Sequence, residues 1–176
     1  IEAIAVSGGM PDQGVGRLIV NKQVKTLRTT HIGLNPVAKD QMFAGELEVE
    51  FIPQGTFAER IRAGGFGLGG VLTPTGVDTL VEDSPFCLGK QNINGKDYLL
   101  MAPIHADVAL LGTYKCDEAG NCWYKGTMRN FNPVMATAAD LVIAETEYVV
   151  PVGEIEPENV HTPGICVNYI VEGEKK

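Results

Sequence analysis

Leu47-Glu48-Val49-Glu50-Phe51-Ile52-Pro53-Gln54-Gly55-Thr56-Phe57-Ala58-Glu59-Arg60-Ile61-Arg62-Ala63-Gly64-Gly65 reads as a strand running straight into a helix. Leu47–Ile52 is a short apolar, strand-like run. Thr56–Ala63 follows as an amphipathic helix, with Phe57, Ile61 and their neighbours on one side, and the paired Gly64 and Gly65 are expected to end it. The same alternation lies upstream. Ala3–Val6 reads as a strand, Gly16–Asn21 as a short helix and Val24–Thr30 as a strand. Pro36–Phe43 is then a helix opened by Asn35, with Pro36 at its first position. Strand–helix alternation of this kind predicts an α/β fold, an open and mostly parallel sheet covered by helices on both faces.

Downstream the pattern changes. Asn94-Gly95, between Gln91–Ile93 and Asp97–Met101, is a hairpin signal and predicts a small antiparallel β excursion. Asp107–Tyr114 and Cys122–Lys125 read as strands around the turn Asp117-Glu118-Ala119-Gly120-Asn121. Pro133–Ala139 reads as a short helix, Leu141–Glu145 as a buried strand, and Ile165–Val171 as a last strand before a frayed, charged tail. No repeat, low-complexity tract or long Pro/Gly linker divides the 176 residues, so a single domain over 1–176 is expected. The chain opens on Ile1 inside a strand, and natural sequence ahead of it is expected to have been lost or processed.

Composition excludes several classes. A net charge of −8 lacks the basic footprint of a general nucleic-acid binder, although one anionic ligand in a locally basic pocket is compatible with it. No apolar run approaches the roughly 18 residues of a membrane-spanning helix. Cys87, Cys116, Cys122 and Cys166 fit no common zinc or redox spacing and read as reduced thiols of a cytoplasmic protein. His31, His105 and His161 share no metal-ligand spacing, so no metal is expected.

Gly65-Phe66-Gly67-Leu68-Gly69-Gly70 matches a dinucleotide motif by letter. That motif works when it follows a strand and opens a helix whose N-terminus meets a pyrophosphate. Here it follows a helix and enters Val71-Leu72-Thr73-Pro74, so its glycines are read as allowing close approach to a ligand or partner. Ser7, before Gly8-Gly9, lacks the Gly-x-Ser-x-Gly context of a nucleophile and reads as structural. Glu59, Glu82 and Glu145 are conceivable acids, but each has a plain placement: a helix face beside Arg60 and Arg62, a loop, and a strand end. Pro53-Gln54-Gly55-Thr56 carries more weight, because ligands of open α/β sheets bind where strands give way to helices. The Gln54 amide offers both donor and acceptor to a carboxylate or carbonyl. Thr56 could equally cap the helix, with Glu59 completing a capping box.

Pro53–Gly65, Leu72-Thr73-Pro74-Thr75-Gly76, Ala106-Asp107-Val108-Ala109-Leu110, Asp117–Asn121, Arg129-Asn130-Phe131-Asn132-Pro133-Val134-Met135-Ala136 and His161-Thr162-Pro163-Gly164 together closely resemble the A (alpha) subunit of family I CoA-transferases. These are the heteromeric acetate/acetoacetate and butyrate–acetoacetate enzymes, related to succinyl-CoA:3-oxoacid CoA-transferase. The resemblance implies a fold shared with ribose-phosphate isomerases and glucosamine-phosphate deaminases, and a partner B (beta) subunit. It implies that a glutamate of the B subunit attacks the acyl-CoA thioester, so that no catalytic nucleophile resides here, and that coenzyme A enters as substrate with no cofactor needed. Gln54 matches the glutamine facing the small acyl group, and Gly65, Phe66, Gly67, Thr73 and Gly76 would shape the substrate-binding wall at the subunit interface. Two departures stand out. The family's first strand, glycine-rich turn and helix are missing before Ile1. Gly8-Gly9 replaces the asparagines of many relatives, so a polar substrate contact is expected to be absent there.

Two other readings are compatible with the sequence. A sugar-phosphate isomerase or deaminase of the same fold would need an acid/base pair beside a phosphate cradle, and its motifs are not evident. A non-catalytic ligand-sensing or assembly module would also lack an internal nucleophile.

Overall fold

The computed structural model of the chain describes residues 1–173. The described residues form two compact units, 1–57 and 58–173.

In the first unit β1 (Glu2–Ile4), α1 (Val15–Val20), β2 (Thr26–Thr29), α2 (Pro36–Phe43) and β3 (Glu48–Phe51) follow in order, and α3 (Gln54–Gly65) begins. The strands make a three-stranded parallel sheet in the order β1-β2-β3, with Ala3 opposite Leu27 and Leu27 opposite Val49. The α/β expectation is met. Ala3, Leu27 and Leu47 pack with Ile19, Val24, Ile32 and Ala38 into one core, in which Ile19, Leu27 and Ala38 are wholly shielded. Asn35 caps α2 as its position predicts, its Oδ1 accepting from Ala38 N–H at 3.1 Å with Pro36 at the first turn. The buried Gln41 ties α2 to α1 by donating from Nε2 to Ile19 O at 2.9 Å.

In the second unit β4 (Val71–Thr73), β5 (Cys87–Ile93) and β6 (Lys96–Met101) form an antiparallel sheet in the order β4-β6-β5. This is the predicted excursion. Asn94 and Gly95, at φ 53° and 80°, make its two-residue turn, the left-handed pair that an Asn-Gly hairpin requires. β7 (Ala106–Asp117), β8 (Cys122–Trp123), α4 (Asn132–Met135), β9 (Ala139–Val150) and β10 (Tyr169–Glu172) complete the unit. Their sheet runs β10-β9-β7-β8, parallel except for β8. Its core is Ala109, Leu111, Ala136 and Val142, continued by Cys116, Cys122, Tyr124 and Ala144.

Four local expectations need correction. Gly64 and Gly65 do not stop α3 but are its last residues. The stop is Gly67 at φ 68°, with Leu68 N–H donating to Ala63 O at 2.9 Å and Gly67 N–H to Gly64 O at 3.4 Å, a Schellman cap. The paired glycines are there for packing. A Cβ on Gly64 would fall on the carbonyl of Ile104, and one on Gly65 on the Thr137 side chain. Thr56 is not a cap either. The helix begins at Gln54, Phe57 N–H donates to Pro53 O at 2.8 Å, and the Thr56 hydroxyl is buried without a partner. The helix expected over Pro133–Ala139 is the short α4, because Ala139 is claimed by the ladder opposite Ala106. The strand expected over Leu141–Glu145 extends to Val150, held by β7 along its length. At the C-terminus a short 3₁₀ turn, Gly164–Cys166, precedes β10, and the charged tail lies outside the described residues.

Candidate functional site

Parallel strands deliver their carboxyl ends to one edge, so the first unit gathers three chain exits there: Ser7-Gly8-Gly9 after β1, Thr30-His31 after β2 and Pro53-Gln54 after β3. The edge is knitted together. Gly8 N–H donates to His31 O at 2.9 Å, and Ile52 N–H to Thr29 O at 2.8 Å. The wholly buried Asn35 donates from Nδ2 to Gly8 O at 2.9 Å, so the residue that caps α2 also pins the first exit. Gly9 sits at φ 66°, where a Cβ would lie 2.9 Å from Gly16 N, which accounts for glycine at this turn. The Ser7 hydroxyl accepts from Gly9 N–H at 3.3 Å, the structural role its sequence context suggested.

Gln54 stands at the first turn of α3, exposed at this edge. A ligand at this carboxamide would also face helix N–H groups that have no intrahelical acceptor. The positive end of the helix dipole adds to the site's preference for an oxyanion or carboxylate. Thr30 and His31 lie at the exit of β2. Thr30 Oγ1 lies 2.6 Å from Val6 O and 3.0 Å from His31 Nδ1.

The other expected substrate-binding residues belong to the second unit. Gly65 closes α3, and Phe66 and Gly67 form its exposed cap, with the Phe66 ring 64% open to solvent. The glycine-rich run therefore follows a helix and enters β4, the reverse of a dinucleotide-binding arrangement. Thr73 is buried at the end of β4, its hydroxyl accepting from Thr75 N–H at 3.1 Å. Gly76, at φ 94°, lets the following turn pack on Val81, whose Cβ would stand 2.8 Å from an added methyl. Phe66 and Gly67 are adjacent, and Thr73 and Gly76 share a turn. Gln54 lies in the other unit.

The remaining acids and histidines are accounted for locally. The Glu59 carboxylate pairs with Arg62, 2.6 Å away, raising the guanidinium pKa. Glu82 accepts from Asp78 N–H and then from Lys90 at 2.9 Å, which together hold it below the usual carboxylate range. Glu145 is exposed on β9. His105 lies 3.9 Å from Asp140. His161 Nδ1 accepts from Tyr124 N–H at 3.0 Å and its ring stacks on Tyr124. Burial, and then the charge of Arg129, pull its pKa down. All four cysteines are free thiols, with Cys116 and Cys122 Sγ atoms 3.6 Å apart in the core. Among the described residues no group of three His, Cys, Asp or Glu side chains could hold a metal ion.

A further pocket of about 540 Å³ in the second unit is lined by Tyr114, Lys125, Thr127, Met128, Glu147 and Tyr148. None of these residues was singled out in the sequence. Lys125 Nζ lies over the Tyr114 ring at 4.5 Å, so the one cation is already held by the wall.

The family model described as Coenzyme A transferase matches residues 2–173, a span covering both units and every element above. The chain belongs to the coenzyme A transferase family. Within it, this chain is 54% identical over 162 residues to the acetoacetyl-CoA:acetate/butyrate CoA transferase alpha subunit of Clostridium acetobutylicum, covering 92% of this chain and 73% of that protein. It is 49% identical over 176 residues to a probable coenzyme A transferase subunit alpha of Bacillus subtilis, covering 99% of this chain and 75% of that one. Among solved structures, an acyl-CoA transferase apoenzyme of Escherichia coli O157:H7 superposes with a TM-score of 0.87 at 21% identity, over 98% of this chain and 37% of that chain. That last likeness establishes the coenzyme A transferase fold and nothing finer.

Proposed function

We propose that this chain is the A subunit of a heteromeric enzyme that moves coenzyme A from a short acyl-CoA to a small carboxylic acid of the acetate, acetoacetate or butyrate class. The observation that carries the reading is the 54% identity, across nearly the whole chain, to an alpha subunit whose name states such a transfer. The site chemistry agrees with it. The carboxyl edge of the first sheet offers the Gln54 amide and a helix N-terminus, groups suited to a carboxylate or the oxyanion of a tetrahedral intermediate. Of the residues weighed as nucleophiles or acids, Ser7 is engaged in its turn at this edge, and Glu59 and Glu82, in the second unit, are committed to ion pairs.

In the family I CoA-transferases that this chain resembles the nucleophile is a glutamate of the B subunit, and the same role is given to a B-subunit glutamate here. Its carboxylate attacks the thioester carbonyl and CoA thiolate leaves, giving a mixed anhydride. The thiolate then attacks the glutamyl carbonyl, expelling the first acid as its carboxylate and leaving a glutamyl thioester. The incoming acid repeats both steps in reverse. Each exchange replaces one difficult displacement by two easier ones and calls for no added cofactor. Gln54 faces the acyl group, and Phe66, Gly67, Thr73 and Gly76 line the wall that the partner closes. A cytoplasmic location is part of this reading; among the described residues no helix is long and apolar enough to cross a membrane.

The test is to mix purified chain with acetyl-CoA and butyrate or acetoacetate, with and without a co-expressed B subunit, and to follow the new acyl-CoA. Transfer by the pair alone is expected. Equal transfer by the isolated chain, or none by the pair with any short acid, refutes the assignment.

A further inference from the structure

Cys116 and Cys122 stand directly opposite each other in the antiparallel β7–β8 pair, and their Sγ atoms touch at 3.6 Å. Both are free thiols and wholly buried, and no step of the proposed reaction uses them. The backbone around them is set for a cross-link. Cys122 N–H donates to Thr162 O at 2.9 Å and Cys122 O accepts from His161 N–H at 2.9 Å, so both backbone groups of Cys122 turn away from β7. The cysteines are therefore a non-hydrogen-bonded pair, the position at which opposed Cα atoms come closest, to about 4.5 Å. A disulfide spans Cα separations of about 4.4–6.8 Å. The sulfurs have to close from 3.6 Å to the roughly 2.0 Å of an S–S bond, which small χ1 rotations supply with the strands in place.

The connecting turn holds this spacing. Asp117 Oδ1 accepts from Ala119 N–H at 3.0 Å and from Asn121 N–H at 2.9 Å, and Oδ2 accepts from Asn121 Nδ2 at 2.8 Å. Asn121 Oδ1 in turn accepts from Gly164 N–H at 2.8 Å. On closing, the pair gives up only weak thiol hydrogen bonds to Asp117 O and Gly120 O. The site also lies at a margin. β8 has two residues at the edge of its sheet, and the turn beside it exposes Glu118 and Ala119. Fraying of so short a hairpin admits an oxidant not much larger than water, while bulkier reagents stay outside.

The geometry points to a dithiol site at Cys116 and Cys122 that hydrogen peroxide converts into an intramolecular disulfide. Cys116, whose pKa is lowered by the hydrogen bond from Cys122, supplies the thiolate. It attacks one peroxide oxygen, the O–O bond breaks, and the departing hydroxide takes up the thiol's proton as water, leaving a sulfenic acid. The Cys122 sulfur then attacks the sulfenic sulfur, and its proton leaves with the displaced hydroxide as a second water. The two thiols have lost two electrons and two protons, and the peroxide has become two waters. Disulfides of reducing compartments are transient, so the dithiol is the resting form and exchange with a reductant restores it. The site stands apart from CoA transfer.

The experiment treats the native protein with hydrogen peroxide, quenches in acid, blocks the remaining thiols with N-ethylmaleimide in denaturant and digests with trypsin without reductant. Lys115 and Lys125 bracket both cysteines, so the peptide 116–125 reports the pair by itself. That peptide is expected to lose the mass of two hydrogens, to take up no maleimide, and to recover both sites when dithiothreitol precedes the block. Cys116→Ala and Cys122→Ala each abolish the mass loss; should either fail to fold, the wild-type map decides alone. A peptide 116–125 that keeps both thiols while Cys87 and Cys166 are oxidised, or that is instead linked to one of those two, overturns the site. Oxidation of its sulfurs to sulfinic acid without the mass loss does the same.

Discussion

Gly64→Ala separates the two explanations for the glycines at the end of α3. Were they helix terminators, alanine would lengthen the helix and stabilise it by about 0.5–1 kcal/mol. The structure gives the opposite sign. An added Cβ at Gly64 would overlap Ile104 O and come within 2.7 Å of the Ile104 carbonyl carbon, both backbone atoms. That backbone cannot give way cheaply. Ile104 N–H is bonded to Arg60 O at 2.9 Å, and the buried Arg60 donates from Nε to Ala102 O at 2.7 Å, clamping residues 102–104 against the helix from one turn away. Overpacking costs about 1–3 kcal/mol, and an overlap with held backbone falls in the upper part of that range, about 2–3, of which the helix propensity of alanine returns about 1. The net expectation is about 1–2 kcal/mol of destabilisation, or a Tm lowered by about 2–8 °C for a chain of this size. Gly67→Ala is the control. No atom lies within 4 Å of its added methyl, but its φ of 68° costs about 1 kcal/mol. Calorimetric melts of the three proteins settle the matter. A Gly64→Ala variant that melts at or above the wild-type temperature refutes the packing account and restores the terminator reading.

Gln54→Ala, in the assembled enzyme, should lower kcat/KM by about 1–4 kcal/mol of transition-state stabilisation while leaving Tm unchanged. Its side chain is exposed, so steady-state kinetics beside a melt will show a folding defect if that expectation is wrong. His161 has a folded pKa below the ordinary histidine value, so its contribution is whole above about pH 6.5 and is lost as pH falls through the lowered value. The Tm gap between wild type and His161→Gln should accordingly narrow between pH 7 and pH 5, and a gap independent of pH would contradict the Tyr124 bond. In native protein at pH 8, iodoacetamide should modify the half-buried Cys87 and Cys166 before Cys116 and Cys122, whose thiols are fully shielded. The hydrogen bond with Cys116, and then burial, push the Cys122 pKa far up, and peptide mapping that finds Cys122 alkylated first would refute this order.

Features governed by neighbours in sequence were legible from the start. Asn35-Pro36 announces a capped helix and Asn94-Gly95 a hairpin because each acts through its own backbone geometry. The errors fall where a distant partner decides. Gly64 and Gly65 answer to Ile104 and Thr137, and Ala139 answers to Ala106 across the sheet. β9 runs past Glu145 because β7 pairs with it as far as Val150, even though Glu145 itself is exposed. The site divides in the same way. Gln54 was singled out from its place between a strand and a helix, and the structure puts it at the first turn of α3. The hydrogen bond from Thr30 to Val6 O was not legible, since only the β1–β2 pairing brings the two together.

The proposed enzyme divides its labour, with binding groups on this chain and the nucleophile on a B subunit. Intact-mass measurement of both chains, taken during turnover with acyl-CoA alone, tests it directly. A CoA thioester adduct on the B chain and none on this one is the predicted result, and an adduct on any glutamate of this chain would contradict it.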